Sequence, residues 1–349
     1  MNNIDPILRS DLNRISEQFP HWAELAGTSV FITGATGLVG SMLVRTLCAA
    51  PVEITVIAHV RNEQKARAMF GNLPIVYCVG DVTAPVEYAG AVDHILHTAS
   101  VTASRSFVTQ PVETLMTAID GTRNLLEFAR QKKVRSMIYV SSMEAYGITD
   151  PALPRVTEND LGYIDILSVR SSYSEGKRIC ECLCAAYASE YGVPVKIARL
   201  AQTFGAGVSE SDGRVFAQFT KSCLAGTDIV LHTEGRSMGN YCYTADAVRG
   251  LLTILLKGET ANAYTVVNPA TSMPIREVAQ LVSDTLTDGR TKIIFDIPES
   301  SLTYGYAPDV TMKLSGDKLM ALGWQPEVDL AEMFRRLADS FRHQRGDIQ

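Results

Sequence analysis

The 349-residue sequence is poor in the features that would place it at once among binders of nucleic acid, membranes or metals. Basic residues are in deficit, 32 Lys and Arg against 38 Asp and Glu, for a formal net charge of -6. That balance argues against nucleic acid or an anionic membrane as the main partner, while leaving room for a local basic pocket that takes a phosphate. Long apolar runs are missing as well: the strongest, Leu251 to Leu256, falls far short of the roughly 20 residues that span a bilayer. The opening segment, MNNIDPILRSDLNRI, has early acidic residues and no apolar stretch of the secretory kind. Cysteine is sparse and odd in number, seven in all, which suits a reducing compartment better than a disulfide framework. The expectation is a cytoplasmic protein.

Cys180, Cys182 and Cys184 are the one group with the look of a metal cluster. Alternate helical residues point about 200° apart, and no histidine lies nearby in sequence to complete a zinc site. They read as small buried apolar residues, and no metal is expected. Low-complexity segments and internal repeats are also lacking. What is present is a 46% hydrophobic, 20% charged composition that folds throughout.

Residues 1–26 carry Ile4, Leu8, Leu12, Ile15 and Phe19 at helical spacing, which predicts an amphipathic extension that docks on the body or on a second subunit. From Thr28 the pattern alternates: SVFIT, a helix over Leu38 to Ala49, ITVIAHV, IVYCV, HILHTA, a helix over Val112 to Gln131, SMIYVSS, a helix over Tyr173 to Tyr191, and VKIARL. Short, almost purely apolar strands are buried on both faces, which means an α/β fold whose parallel sheet is sandwiched by helices. Residues 27–200 form this nucleotide-binding unit. Beyond Ala201 the rhythm turns irregular, with a short IVLHT strand and helices near Ala245 to Lys257 and Ile275 to Thr285. Residues 201–349 therefore read mainly as a smaller mixed α/β lobe, some of whose segments return to the first unit.

Gly34, Thr36, Gly37, Leu38, Val39 and Gly40 belong to a GxxGxxG turn between the first strand and the first helix. Glycines there let the backbone approach a pyrophosphate, whose charge rests on free N–H groups at the helix start. NAD enzymes usually end the second strand in an acidic residue that bonds the ribose. Here Arg61 stands at that place with Lys65 one turn on, so NADP is favoured and NAD is the alternative; two solvated surface charges are the plain reading of the same pair. Asp81, followed by Val82, is placed to bond the adenine amino group.

Tyr173 and Lys177 form YxxxK on a predicted helix, one turn apart on one face. A free phenol titrates near pH 10 and is a poor base at neutrality, and a neighbouring ammonium stabilises its phenolate. Ser142 closes the fifth strand at the carboxyl edge, where open α/β sheets bind ligands, and is placed to bond the reacting oxygen beside Tyr173.

With His97-Thr98-Ala99-Ser100, Gly121-Thr122-Arg123-Asn124 and Leu322-Gly323-Trp324, these elements resemble the extended short-chain dehydrogenases/reductases, the NAD-dependent epimerase/dehydratase family of nucleotide-sugar enzymes. The likeness runs from about Thr28 to Trp324. It implies a Rossmann-type doubly wound sheet with a C-terminal substrate lobe, and transient oxidation of the sugar at C4. It marks Thr98, Ala99 and Ser100 for the cofactor, Thr102, Met143, Gln202, Arg214 and Tyr306 for the substrate, and Glu144 as a second base. The plain reading of Glu144 is a strand-end carboxylate bonded to backbone.

Val169 through Arg178, Thr203-Phe204-Gly205 and Asp212-Gly213-Arg214-Val215 look most like UDP-glucuronate decarboxylases. There are departures. The decarboxylase arginine seven residues before the aspartate matched by Asp246 is Gly239, and the dehydratase acid beside Glu144 is Met143. An asparagine has become Gln202 and an arginine Tyr306, so the diphosphate grip is altered, with Arg214 or Arg236 as the available cations. The leading expectation is a nucleotide-sugar epimerase or dehydratase-type enzyme. A decarboxylase, a net NADPH-dependent reductase of a non-nucleotide carbonyl, and a cofactor-sensing protein without chemistry are the alternatives. The resemblance also implies a homodimer built on the helices over Val112 to Gln131 and Tyr173 to Tyr191.

Overall fold

The computed structural model describes residues 4–297 and 309–347. It begins with α1 (Pro6–Gln18) and a short turn, α2 (Trp22–Leu25). Asp5 starts α1 by accepting the Ile7 amide at 2.8 Å, and Pro6 occupies the first helical position, where its missing N–H is of no consequence. Leu8, Leu12 and Ile15 make one buried stripe. Asp11 is buried beside them and accepts from the Tyr243 hydroxyl at 2.5 Å and from Arg336 at 2.7 Å, so the helix is pinned to the body by charge as well as packing.

The alternating half follows as β1 (Thr28–Thr33), α3 (Leu38–Cys48), β2 (Ile54–Val60), α4 (Glu63–Phe70), β3 (Ile75–Val79), β4 (His94–His97), α5 (Ser104–Thr109), α6 (Pro111–Lys132), β5 (Ser136–Ser142), α7 (Ser172–Tyr191) and β6 (Val195–Leu200). The remainder supplies β7 (Gln202–Phe204), α8 (Val215–Ala225), β8 (Ile229–Leu231), β9 (Met238–Tyr243), α9 (Thr244–Lys257), β10 (Ala263–Val266), β11 (Asn268–Pro274), α10 (Ile275–Thr287), β12 (Ile293–Phe295), α11 (Asp317–Met320) and α12 (Leu330–Arg345).

Seven strands form a parallel sheet in the order β10-β6-β5-β4-β1-β2-β3. β1 is buried along its whole length because helices cover both faces. From β1 the chain first winds outward through β2 and β3, then restarts on the other side with β4. The crevice between β1 and β4 is the point where such sheets bind ligands, and Thr33 pairs with His97 across it.

β10 comes from beyond residue 201 yet pairs with β6, and α9 packs on β5 and β6. The residues beyond 201 also contribute a three-stranded sheet, β11-β9-β7, and a two-stranded pair, β12-β8. Beyond residue 201 only β8 is expected from the sequence; β7, β9, β10, β11 and β12 are additional. Their signals are weak for a physical reason: β7 is three residues long, and β11 contains Pro269 and Pro274 and shifts register between Asn268 and Met273. One expectation needs correction. Cys180 and Cys184 are buried, but α7 turns Cys182 to solvent, so only two of the trio are small core residues.

Candidate active site

The glycine turn meets the conditions for a pyrophosphate cradle. Gly34 has φ +64°, and a Cβ there would lie 2.7 Å from the Ala99 amide. A Cβ on Gly40 would run into the Gly34 carbonyl, so neither position accepts a side chain. Gly37 caps α3 with backbone alone, and no side chain claims the N–H groups of the first turn, where Leu38 and Val39 stand after Thr36.

Thr33 locks this turn to the end of β4. Its hydroxyl lies 2.7 Å from His97 Nδ1 and accepts the Ala99 amide at 3.2 Å, while its carbonyl accepts the Thr98 hydroxyl at 2.6 Å. Burial, helped by the Lys177 charge, pushes His97 down to about 3, so the imidazole is neutral. Ser100 bonds the Val101 carbonyl at 3.3 Å, and Thr102 beyond it is exposed.

At the other end of the crevice Arg61 projects from the end of β2, 82% exposed and 4.0 Å from Asp81; Lys65 is also exposed. The Thr83 amide and hydroxyl donate to Asp81 at 3.0 and 2.8 Å, and they hold its carboxyl below the usual range. Val82 rests on Gly121, where a Cβ would approach it to 3.1 Å, and its carbonyl accepts from Asn124 at 2.9 Å. The Gly121 to Asn124 motif thus seats the turn that carries Asp81.

Tyr173 and Lys177 lie in the first turns of α7, against the end of β5. Lys177 is buried, donates to the Val140 carbonyl at 2.9 Å, and sits 5.6 Å from the centre of the Tyr173 ring. Burial pushes its ammonium down to about 8. The Tyr173 phenol is pushed up by burial and by the Glu144 charge, against the pull of a Ser142 hydrogen bond, Arg170 and Arg214. Ser142 also accepts the Glu144 amide at 3.2 Å. Four sequence-marked residues, Ser142, Glu144, Tyr173 and Lys177, therefore meet at one strand end.

Glu144 is not simply tied to backbone. Arg170 grips both of its oxygens, at 2.9 and 3.1 Å, and the Ser174 hydroxyl donates at 3.2 Å. Neither partner was marked as a site residue, although Arg170 lies three residues before Tyr173 in the same segment. Met143 is buried with Tyr146 and Val156. Arg214, at the start of α8, is ion-paired with Asp212 at 2.6 Å yet near enough to act on Tyr173. Gln202 is exposed at the start of β7, and Tyr306 lies outside the described residues. Arg236 is exposed and paired with Glu234. Among the described residues no three His, Cys, Asp or Glu gather to hold a metal ion, and no helix is long and apolar enough to cross a membrane.

Comparison with known proteins agrees with this geometry. The model of the NAD dependent epimerase/dehydratase family matches residues 30–269. UDP-glucuronic acid decarboxylase 1 of Danio rerio is 31% identical over 89% of this chain and 72% of its own. Among solved structures, UDP-glucose 4-epimerase of Thermotoga maritima, crystallised with UDP-glucose, superposes with a TM-score of 0.78 at 21% identity, covering 91% of this chain and 99% of that one. The Thermus thermophilus UDP-glucose 4-epimerase, in complex with NAD, gives 0.74 at 23% over 90% and 99%. With the family model spanning more than half of it, the chain belongs to the NAD-dependent epimerase/dehydratase family of extended short-chain dehydrogenase/reductase enzymes.

Proposed function

We propose that the protein is a nucleotide-sugar epimerase that oxidises C4 of the sugar transiently and restores it with inverted configuration. The grouping of Tyr173, Ser142 and Lys177 at the end of β5, with Lys177 acting on the His97 that bonds Thr33 before the glycine turn, carries this reading. Gly34, Thr36, Gly37, Leu38, Val39 and Gly40 would hold the pyrophosphate of a nicotinamide dinucleotide, Asp81 and Val82 its adenine end, and Thr98, Ala99, Ser100 and Lys177 the rest. The nicotinamide, when bound, supplies reversible hydride acceptance. Ser142 orients the C4 hydroxyl, and Tyr173 takes its proton and later returns it. The Lys177 ammonium stabilises the phenolate, the form in which Tyr173 stands before it takes the proton and after it returns it.

Two observations favour epimerisation over the related eliminations. Met143 is a buried thioether and has no proton to give a leaving hydroxyl. Glu144, the candidate second base, has both oxygens engaged by Arg170. Decarboxylation is the second reading, supported by the 31% identity to a UDP-glucuronic acid decarboxylase. All seven cysteines are unpaired, which supports a reducing, cytoplasmic setting.

Purified protein is to be incubated with UDP-, CDP-, GDP- and dTDP-sugars and followed by NMR. Interconversion of C4 epimers without net use of cofactor is expected, with kcat at least ~100-fold lower in Tyr173→Phe. Carbon dioxide from UDP-glucuronate would instead establish the decarboxylase, and steady consumption of NADPH a reductase. No turnover or binding of any sugar nucleotide would sink the reading, and a Tyr173→Phe variant with unchanged behaviour would point to a cofactor sensor.

For the dinucleotide, Arg61 just after β2 and Lys65 in α4 support NADP, since both side chains are exposed and long enough to turn onto a 2'-phosphate, Arg61 by leaving its outer contact with Asp81. Arg61→Asp is expected to weaken NADP on the order of tenfold, about 1.4 kcal/mol, while leaving NAD within twofold in a fluorescence titration. Equal effects on both would remove Arg61 from cofactor choice.

The subunits are proposed to pair through α6 and α7, whose outer faces expose Val112, Met116 and Ile179. Light scattering is expected to give twice the chain mass for the native protein and the single mass for Met116→Glu/Ile179→Glu. A native monomer would remove the dimer from the proposal.

Burial of Lys177 also has a thermodynamic cost. Its pKa is about 8 in the folded protein against an ordinary 10.5, so between those values the unfolded chain binds more protons and stability rises with pH. Below pH 8 the whole cost remains, on the order of 3 kcal/mol. Lys177→Met is thus expected to abolish turnover yet raise the unfolding midpoint at pH 7, the gain shrinking as pH climbs toward 10.5. Identical midpoints at pH 7 would show that the ammonium bears no such burden.

A further inference from the structure

The reactive phenol is held by more than its hydrogen bond to Ser142. The Tyr173 ring lies against that of Phe107, centroids 4.2 Å apart and planes within 8° of parallel. Phe107 comes from α5, the short helix between β4 and α6, and is 2% exposed. Its backbone is fastened to the helix that carries the phenol, because the Ser172 hydroxyl donates to the Phe107 carbonyl at 3.0 Å. Its ring touches a second member of the site. The Arg170 guanidinium carbon lies 4.8 Å from the ring centre, and Arg170 is the group that grips Glu144 through both oxygens.

One side chain with no polar atom therefore contacts the proton-transfer group directly and the candidate second base through its arginine. The physical need is clear from the phenol's freedom. A tyrosine side chain turns about two bonds, and a hydrogen bond at the oxygen fixes one point of the ring but not its plane. Proton transfer requires the oxygen within about 2.6–3.2 Å of its partner, and errors of about 1 Å are costly. A flat, buried neighbour tied to the same helix removes the remaining swing and keeps water from that face of the phenol.

We propose that Phe107 is a positioning residue for the reaction, fixing the plane of the Tyr173 ring and, through the Arg170 guanidinium, the placement of the Glu144 carboxylate. The inference rests on the reading of Tyr173 as the group that takes the hydroxyl proton. It adds α5 to the elements that build the site.

The test compares Phe107→Leu, which keeps apolar bulk without a plane, Phe107→Tyr, which restores the plane, and the parent protein. Three quantities are measured: kcat and KM for the sugar nucleotide turned over, dinucleotide affinity, and titration of the Tyr173 phenol by ultraviolet difference against the matching Tyr173→Phe protein. Expected for Phe107→Leu are a kcat at least tenfold lower, dinucleotide affinity within twofold of the parent, and a phenol titration displaced toward lower pH as water reaches the ring. Phe107→Tyr is expected to recover most of kcat. Parent-like kcat and titration in Phe107→Leu, or a change confined to the melting temperature, would overturn the proposal. Should the parent protein turn over no sugar nucleotide, the titration alone decides: displacement supports the role of Phe107 in placing the ring, and an unmoved titration overturns it.

Discussion

An ammonium is buried inside the protein at the end of β5, and the surrounding groups are arranged around its charge. Lys177 spends one hydrogen bond on the Val140 carbonyl and rests over the Tyr139 ring at 5.1 Å. Its neighbours do not neutralise it. His97 is held neutral, and burial pushes the Cys180 and Cys184 thiols up, so they carry no charge at ordinary pH. Glu181, whose charge does favour the ammonium, is committed elsewhere: it accepts from Ser141 at 2.5 Å and pairs with Arg199 at 2.7 Å. The positive charge is therefore left for whatever lies at the open edge of the sheet, which is where the phenol stands.

The same economy governs the negative charge at that edge. Glu144 arrives with the turn after β5, one residue beyond Met143, and would sit unpaired beside a half-buried phenol were Arg170 absent. A lone carboxylate there raises the phenol further, as its effect on Tyr173 shows. Arg170 answers it from the turn that leads into α7, so the pair is set by the same piece of chain that sets Tyr173 and Lys177. The geometry of carboxylate, phenol and cation thus depends on one junction between β5 and α7, with α5 closing it from the side.

Much of this was legible in the sequence because it follows local periodicity. Strands buried on both faces, such as Thr28–Thr33 and Ser136–Ser142, read as apolar runs, and the glycine turn and YxxxK pair fall at fixed offsets from them. The Gly121 to Asn124 motif was visible too, but its reason was not: it is a packing seat for Val82, from a helix some forty residues away in sequence. Phe107 carried no signal at all, since its partner Tyr173 is 66 positions distant and nothing in the spacing of α5 marks a face. The small-lobe strands were hidden by brevity and by prolines. Cys182 shows the same limit from the other side, because composition says nothing of which helix face meets solvent.

The departure at Gly239 has a structural logic that a single-position view misses. A Cβ at 239 would collide with the hydroxyl of Tyr241, two residues on and therefore on the same face of β9. Tyr241 is not free to yield: its ring meets Phe204 edge-on at 5.9 Å, and Phe204 stacks on Phe216 at 4.5 Å. Over Phe216, at 4.7 Å, lies the guanidinium of Arg214. At this place a tyrosine fills the space beside Gly239, and the aromatic stack behind it supports the Arg214 guanidinium at the start of α8. A side chain placed at 239 would displace Tyr241 and loosen the seat of Arg214. The aromatic stack behind Gly239 thus ends on a guanidinium whose charge reaches the Tyr173 phenol, which ties the packing of β9 to the electrostatics at the end of β5.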